Sequence, residues 1–564
     1  MCEEHSAIVS HRLSVDQRQT RELRPKTDDS GRKTDGSRLA TAFVLLVLLF
    51  PIPASAALTE GPRLAAVYDT ILRARFEDVE AQLAHTCPPA PAEACQSMRV
   101  VAAWWEILMD PASRRLDARF NALAASAIDA AEAWTKREPQ RAEAWFYLAG
   151  SYAPLVQWHV LRGERVTAAR EGKKIKDALE RALELDPSLD DAYFGIGLYH
   201  YYAAVAPTAA KVLRFFLFLP GGDREQGLKE MLKAREHGEL LRGEADYQLQ
   251  ILYLWYEQEP AKAIEILERL DARYTTNPLF LRQIAQIRDT HFHDHPASAA
   301  AWRTLLDRAR AGRVHAPESS EIRARTGLAI ELDAMFETDR AIDELTKALH
   351  FPDAVMPYGA RAEADRLLGN AQDRLGRHDL ALRAYAAAIA ATPEDDALKT
   401  KEQVQAAQRQ TPDRRATQSY RLSLEGWRAL EGGSAERASA ALEQALALEP
   451  DDTVARYRYA RALEARGEIA QARQELERVI AARPPAPAFV LASAFTDCAQ
   501  LVERSGDAER ALSLYRYAID VVGGTPRAHA EAIRGVKRLE GGGNRAQFLT
   551  FDARLCLTLG NSRP

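Results

Sequence analysis

The sequence lacks the short motifs with which many enzymes hold a nucleophile, a metal ion or a phosphate group. It contains no G-x-S-x-G, H-E-x-x-H or G-x-x-x-x-G-K-[ST] pattern. The stretch GGDREQG at 221–227 has no Lys-Ser/Thr pair after it and no predicted strand before it, which excludes a phosphate loop. We therefore predict a non-enzymatic protein that needs no cofactor.

Cysteine is scarce as well. The chain has five cysteines and no C-x-x-C pair, which excludes a thioredoxin-like redox motif and a zinc ribbon. Cys87 and Cys95 bracket the proline-rich loop PPAPAEA. Two interpretations of this pair stay open, a small disulfide in an exported protein and two free thiols, and the disulfide is favoured.

An excess of basic residues and long β-branched runs are also missing. The formal net charge is -5 and the pI is near 6.3, which argues against general nucleic-acid binding. Ala and Leu dominate the composition, so we predict a mostly helical chain. A chain of 564 residues is too long to fold around one compact core, so we expect several domains or a repeat array.

One apolar run stands near the N-terminus. ATAFVLLVLLF at 40–50 follows a basic flank and precedes the A-x-A pattern at 54–56, the layout of a secretory signal peptide. The run is shorter than the roughly 20 residues that span a bilayer. We predict that the leader and signal peptide occupy 1–56 and that the protein is exported to the periplasm or cell envelope. The alternative is an uncleaved segment that anchors the chain in the membrane.

The most informative feature is an internal repeat. In residues 366–395, small residues, one large aromatic residue and one proline stand at fixed spacings. They are Gly369, Gly376, Ala381, Tyr385, Ala388 and Pro393. The small residues allow two antiparallel helices to approach each other, the Tyr fills the space between repeats, and the Pro ends the second helix. The spacing recurs in 419–450, 453–484 and 492–523, with Pro450 and Pro484 at a 34-residue offset.

These spacings resemble the tetratricopeptide repeat, and the chain resembles exported bacterial tetratricopeptide-repeat proteins. The resemblance is specific in 365–520 and interrupted in 142–352. It implies an all-α fold, a right-handed superhelix of helix-turn-helix repeats with inserted helices in the N-terminal half. The expected organisation is a leader and signal peptide (1–56), an N-terminal helical segment (57–140), a degenerate repeat block with inserts (141–393), a linker or helix extension (394–416), a regular repeat block (417–540) and a tail (541–564).

The resemblance also implies a concave groove, lined by the first helix of each repeat, that binds a protein or peptide partner. The residues at groove positions include the aromatic and Arg types that supply binding hot spots. The candidates are Tyr201, Tyr202, Arg366, Asn370, Trp427, Tyr457 and Arg461. The competing interpretation places several of them in helix packing or on solvated surface. The expected function is a binding scaffold in the cell envelope, with the partner unidentified.

Two interruptions in adjacent repeats, 153–174 and 207–222, are expected on the same side of the array. They would form an extra layer with aromatic and basic groups, and Trp158, His159, His200 and Arg214 are the candidate pocket residues. The alternative function is therefore an envelope protein that binds a small ligand or glycan near 158–224. For the second interruption, packing is favoured over a pocket and over a helix at the membrane surface.

Three histidines alternate in THFHDHPAS at 290–298. On an extended segment, His291, His293 and His295 would share one side and bind a divalent metal. A closed zinc site needs four ligands on rigid elements, so a solvated loop between helices is the favoured interpretation and no metal site is predicted.

Overall fold

The computed structural model describes residues 58–205, 221–410 and 413–541. Within these ranges the chain forms 24 α-helices and one short 3-10 turn at Asp353–Val355, and no strand. The all-α repeat fold is thus confirmed. None of the helices in the described ranges combines the length and apolarity that crossing a bilayer requires.

The chain divides into two compact units. The described residues of Met1–Tyr68, Asp78–Trp104 and Asp117–Ala245 belong to the first unit, and Asp69–Glu77, Trp105–Leu116 and the described part of Asp246–Pro564 belong to the second. Helices α1 (Gly61–Leu72), α2 (Phe76–Thr86), α3 (Ala92–Met109) and α9 (Arg242–Trp255) contribute to both.

The other helices fall within one unit. In the first unit they are α4 (Asp117–Arg137), α5 (Ala142–Leu161), α6 (Arg165–Leu185), α7 (Ala192–Val205) and α8 (Arg224–His237). The first part of the second unit holds α10 (Pro260–Arg273), α11 (Pro278–Phe292), α12 (His295–Arg310), α13 (Pro317–Ala334), α14 (Thr338–Leu349), α15 (Ala360–Arg374), α16 (His378–Ala390) and α17 (Thr400–Gln408). Its last helices are α18 (Arg414–Glu431), α19 (Ala435–Leu448), α20 (Thr453–Ala465), α21 (Ile469–Ala481), α22 (Ala488–Arg504), α23 (Ala508–Asp520) and α24 (Pro526–Gly541).

Three-residue turns join the two helices of seven pairs. The middle residue of each turn adopts a positive φ, which reverses the chain tightly, and five of the seven are glycine: Gly163, Gly376, Gly433, Gly467 and Gly506. The other two are Ala74, with a φ of 54°, and Phe336, with a φ of 62°, a conformation that costs free energy for a residue with a side chain.

The helices of a pair approach closely because glycine stands at the crossing point. A Cβ atom added to Gly369 would overlap the ring of Tyr385, and one added to Gly426 would meet Leu442. Both glycines and Tyr385 belong to the repeat pattern predicted from the sequence. The repeat spacing therefore has a steric cause, because only glycine at these positions leaves room for the side chain of the facing helix.

Aspartate side chains begin several helices. Asp223 accepts a hydrogen bond from the Gln226 backbone N–H at 3.0 Å. Asp413, Asp452 and Asp507 cap α18, α20 and α23 in the same way. Each cap satisfies an N–H that has no partner inside its helix and contributes about 1 kcal/mol.

The predicted interruption at 153–174 is not a separate layer. Helix α5 continues through Pro154 to Leu161, α6 starts at Arg165, and only 162–164 lie between them. The repeat departs from the common spacing because both helices are longer. The linker at 394–416 contains the short helix α17. The signal peptide, most of the 207–222 interruption, and the tail except Gly541 lie outside the described residues.

Candidate functional site

The second unit contains a cavity of about 370 Å³. Side chains from α12, α13, α14, α18, α20, α22 and α24 line it, together with the segments just before α14 and α24. Its apolar wall includes Leu332, Met335, Trp427, Val454, Tyr457, Phe489 and Val490. Its charged residues are Arg303, Glu337, Arg340, Arg458, Arg461, Asp497, Arg527 and Glu531.

Hydrogen bonds fix the two aromatic side chains on which a ligand would rest. The Trp427 indole N–H donates to Glu337 Oε1 at 3.0 Å, and the Tyr457 hydroxyl donates to Asp497 Oδ2 at 2.9 Å. The two ring centroids are 6.5 Å apart. Because their polar atoms are held, these rings form a rigid aromatic wall.

The acidic side chains of the cavity are already engaged. Arg461 forms an ion pair with Asp497 at 3.0 Å, and Arg527 forms one with Glu531 at 2.9 Å. Glu337 pairs with Arg428 and with Arg340. Burial raises the pKa of Asp497, while the nearby Arg461 guanidinium acts in the opposite direction.

Arg458 differs from the other arginines because its guanidinium has neutral partners. Its side chain donates to Ser423 Oγ at 3.0 Å and to the Phe336 carbonyl at 2.7 Å. It is only 3% exposed, and burial lowers the pKa of Arg458. Within the described part of the chain, no carboxylate forms an ion pair with Arg458. The left-handed turn at Phe336 thus places a carbonyl against a buried positive charge.

The cavity carries a surplus of positive charge. Five arginines and three acids line it, and the acids all pair with arginine. Arg303 is exposed on α12 and has no ion-pair or hydrogen-bond partner among the described residues. Together with Arg458 it leaves two positive charges that a ligand could neutralise.

The structure brings three of the predicted partner-binding residues together. Trp427, Tyr457 and Arg461 all line the cavity. Arg366 and Asn370 lie on α15 and do not line it; Asn370 Oδ1 accepts a hydrogen bond from the Tyr385 hydroxyl at 2.9 Å.

The two tyrosines predicted as partner-binding residues on α7 belong to the first unit. Tyr202 is half-buried. Tyr201 is fully buried beneath α8, where Gly227 allows the helices to approach, so the structure assigns its side chain to packing and not to a partner surface.

The residues of the predicted pocket near 158–224 have partners within the first unit. Trp158 is buried and stacks on Phe120, with ring centroids 6.1 Å apart. His159 Nδ1 lies 2.7 Å from Glu164, and His200 Nδ1 lies 2.8 Å from Glu230. Arg214 lies outside the described residues, and the pocket stays a prediction.

Cys87 and Cys95 are joined by a disulfide, the pairing that the sequence favoured.

The three histidines of 290–298 do not share one side of an extended segment. His291 ends α11 and contacts the Trp255 ring, His293 adopts a left-handed conformation, and His295 begins α12. Asp289 and Glu331 flank His295 and raise its pKa to about 9.

Sequence reasoning missed the most distinctive residue of the cavity. Arg458 lies at helical spacing between Val454 and Ala462, both buried. A charged residue on the buried stripe of a helix is the signal that could have identified it. Its neighbours Ser423 and Phe336 come from other helix pairs, and no local pattern indicates them.

Comparison with known proteins identifies one repeat segment. Residues 429–493 match the tetratricopeptide repeat family model. This segment covers α19, α20 and α21 with the turns between them. The matched segment therefore has the tetratricopeptide repeat pattern. No curated protein matches the chain.

Several solved structures are similar at low identity. The P58(IPK) TPR domain is 14% identical, with 79% of this chain and 97% of that chain covered and a TM-score of 0.21. A tetratricopeptide repeat protein from Parabacteroides merdae is 15% identical, with 52% and 98% covered and a TM-score of 0.23. A Rap protein complexed with competence and sporulation factor is 11% identical, with 84% and 99% covered and a TM-score of 0.30.

Proposed function

We propose that this repeat protein is an exported, non-enzymatic scaffold that binds a segment of a partner protein in the cavity of its second unit. The observation that carries the proposal is the pairing of a rigid aromatic wall, Trp427 and Tyr457, with two arginines that form no ion pair with any carboxylate of the described ranges. Aromatic residues and Arg are the types that concentrate binding energy in protein interfaces.

The charge of the cavity specifies the chemistry of the segment. Arg303 and Arg458 favour a ligand with carboxylates, and the apolar wall favours a large apolar side chain beside them. We infer that the partner presents an acidic segment with an aromatic or aliphatic anchor. Neutral acceptors already hold the Arg458 guanidinium, so it supplies electrostatic attraction at the base of the cavity without reorganising.

Export is part of the proposal. The signal-like run at 40–50 with its A-x-A pattern supports it, as does the Cys87–Cys95 disulfide, because disulfides persist in oxidising compartments. Protein recovered from the native cell envelope should begin at Ala57. An intact N-terminus in the membrane fraction would instead support the uncleaved anchor.

A peptide array tests the binding function. The purified mature chain should select peptides in which Asp or Glu neighbours Phe, Trp or Leu, and reject the same peptides with Lys in place of the acids. Arg303→Glu and Trp427→Ala should each weaken binding of a selected peptide by about tenfold or more, a loss near 1.4 kcal/mol. Fluorescence anisotropy provides the measurement.

A matched control separates the cavity from general charge effects. Arg310→Glu introduces the same charge change on the same helix, at an exposed position that does not line the cavity. It should leave the affinity unchanged. Equal loss in Arg303→Glu and Arg310→Glu, or binding that ignores both Arg303→Glu and Trp427→Ala, would refute the cavity as the binding site.

A further inference from the structure

Three potential metal ligands from three successive helices meet at one point of the second unit. His295 Nδ1 lies 3.2 Å from Asp289 Oδ1 and 2.9 Å from Glu331 Oε2. One ligand atom from each side chain lies within 4.8 Å of the other two. Asp289 is on α11, His295 begins α12, and Glu331 is on α13.

The local sequence explains why these groups converge. Helix α11 ends at Phe292, His293 turns the chain with a φ of 51°, and the Asp294 carboxylate caps α12. The chain reverses within two residues, so His295 returns alongside the last turns of α11, where Asp289 lies. The Glu331 side chain reaches the same point from α13.

The cluster has fewer hydrogen atoms than its acceptors require. Nδ1 of His295 carries at most one hydrogen, which faces two carboxylates. The single hydroxyl hydrogen of Ser298 lies between the Ala285 carbonyl, at 2.8 Å, and Glu331 Oε1, at 2.7 Å. It can serve only one of these oxygens at a time.

The cluster also keeps a negative charge that no other cation neutralises. Within the described ranges, no Lys or Arg forms an ion pair with Asp289 or Glu331. The Glu331 side chain is only 3% exposed, so few hydrogen bonds from water can solvate its carboxylate. Even with a protonated imidazole, the two carboxylates leave one negative charge, and burying it is costly.

We propose that Asp289, His295 and Glu331 bind a divalent transition-metal ion, for which zinc is the best match. One imidazole nitrogen and two carboxylate oxygens form a ligand set that suits Zn²⁺, with ligand distances near 2.0–2.2 Å. Two such ligands on a tetrahedral ion are about 3.4 Å apart, so the two distances from His295 Nδ1, 3.2 and 2.9 Å, need to open by about half an ångström or less. Asp289 and His295 are partly exposed, which leaves room for water as the fourth ligand.

The position of the site gives the ion a structural consequence. Pro296, next to His295, and Leu332, next to Glu331, both line the cavity. An ion held by α11, α12 and α13 would therefore fix two walls of that cavity. The metal site nevertheless stands on its own ligands and does not depend on the proposed partner.

Isothermal titration calorimetry with Zn²⁺ tests the proposal. The untagged mature chain, stripped with a chelator, should bind one ion with high affinity and show a higher melting temperature when loaded. Loss of a hydrogen-bond partner of a ligand typically costs about 10–100-fold in metal affinity. Asp289→Asn and His295→Gln remove ligands directly and should each cost at least as much.

His293→Asn is the matched control, because it removes the neighbouring imidazole and Asn tolerates the left-handed conformation. It should bind zinc as the wild type does. Absence of binding would overturn the proposal and leave the His295 proton as the only bridge between the carboxylates. Equal losses in His293→Asn, or full affinity in Asp289→Asn, would also overturn it by assigning the ion to surface histidines. Circular dichroism of each zinc-free variant separates lost ligation from lost folding.

Discussion

Asp365 on α15 is a half-buried carboxylate that receives no hydrogen bond from the described residues. Burial raises its pKa to about 6, and only the charge of Arg361 opposes this. The folded state therefore favours the neutral form of the Asp365 carboxyl group over the charged form. The contribution of this group to stability is greatest below the usual Asp pKa near 3.8 and is lost as the pH rises through about 6.

Asp365→Asn should consequently raise the melting temperature at pH 7.5, because it removes a charge that folding must bury. The gain should shrink as the pH falls below about 6 and vanish near pH 3, below both pKa values, where the wild-type side chain is neutral in the folded and the unfolded state. Glu443→Gln, an exposed change of the same charge in the middle of α19, is the control. A gain that does not depend on pH would contradict the assignment of the effect to this carboxyl group.

Individual residues show what the sequence can and cannot indicate. Gly369, Gly376 and Tyr385 were identified from spacing alone, because their roles in helix crossing and turn formation are local. Arg458 and Glu331 escaped notice, because their partners lie on other helices and turns, outside the repeat unit to which each residue belongs. The spacing of residues in the sequence predicts the repeat. The residues around Arg458 and Glu331 depend instead on which helices contact each other in the folded chain.

At the scale of elements, the crossing of α15 and α16 depends on one missing methyl group. The Tyr385 ring occupies the space that a Gly369 side chain would need, and its hydroxyl is bound to Asn370 and Asp373. Because the ring is held, it cannot move aside at low cost.

Gly369→Ala should therefore destabilise the protein by about 1–3 kcal/mol through overpacking. Gly172, inside α6, has open space around it. The same substitution there should stabilise by up to about 1 kcal/mol, because Ala is the better helix former. Chemical denaturation followed by circular dichroism gives both values. A stabilising Gly369→Ala would show that Tyr385 is free to move.

The predicted interruption at 153–174 was wrong, because the two helices in this region are longer than those of a regular repeat. The charged stretch at 162–174 and Pro154 suggested an interruption, yet both lie in a continuous helix pair, α5 and α6, and its turn. The composition shows where the repeat spacing is interrupted. It does not show whether an inserted segment or longer helices on either side cause the interruption.

At the scale of the whole array, the last described helix closes the core. Repeat arrays bury a continuous core by stacking, so their ends need a helix with an apolar inner face and a polar outer face. Helix α24 has this character: Ala528 and Ala532 are buried, while Arg534 and Lys537 are exposed. Gly535 allows α24 to lie directly on the Tyr515 ring.

A chain that ends at Thr525 should therefore expose Tyr515 and its neighbours, unfold at a lower temperature and self-associate in light scattering. Gly535→Leu should act in the same direction with the chain intact, because its side chain would overlap the Tyr515 ring. Ile533→Ala, an exposed change on the same helix, should stay within about 0.5 kcal/mol of the wild type. If Gly535→Leu behaves like Ile533→Ala, α24 does not cap the core, because a helix that seals a close-packed layer cannot accept that volume.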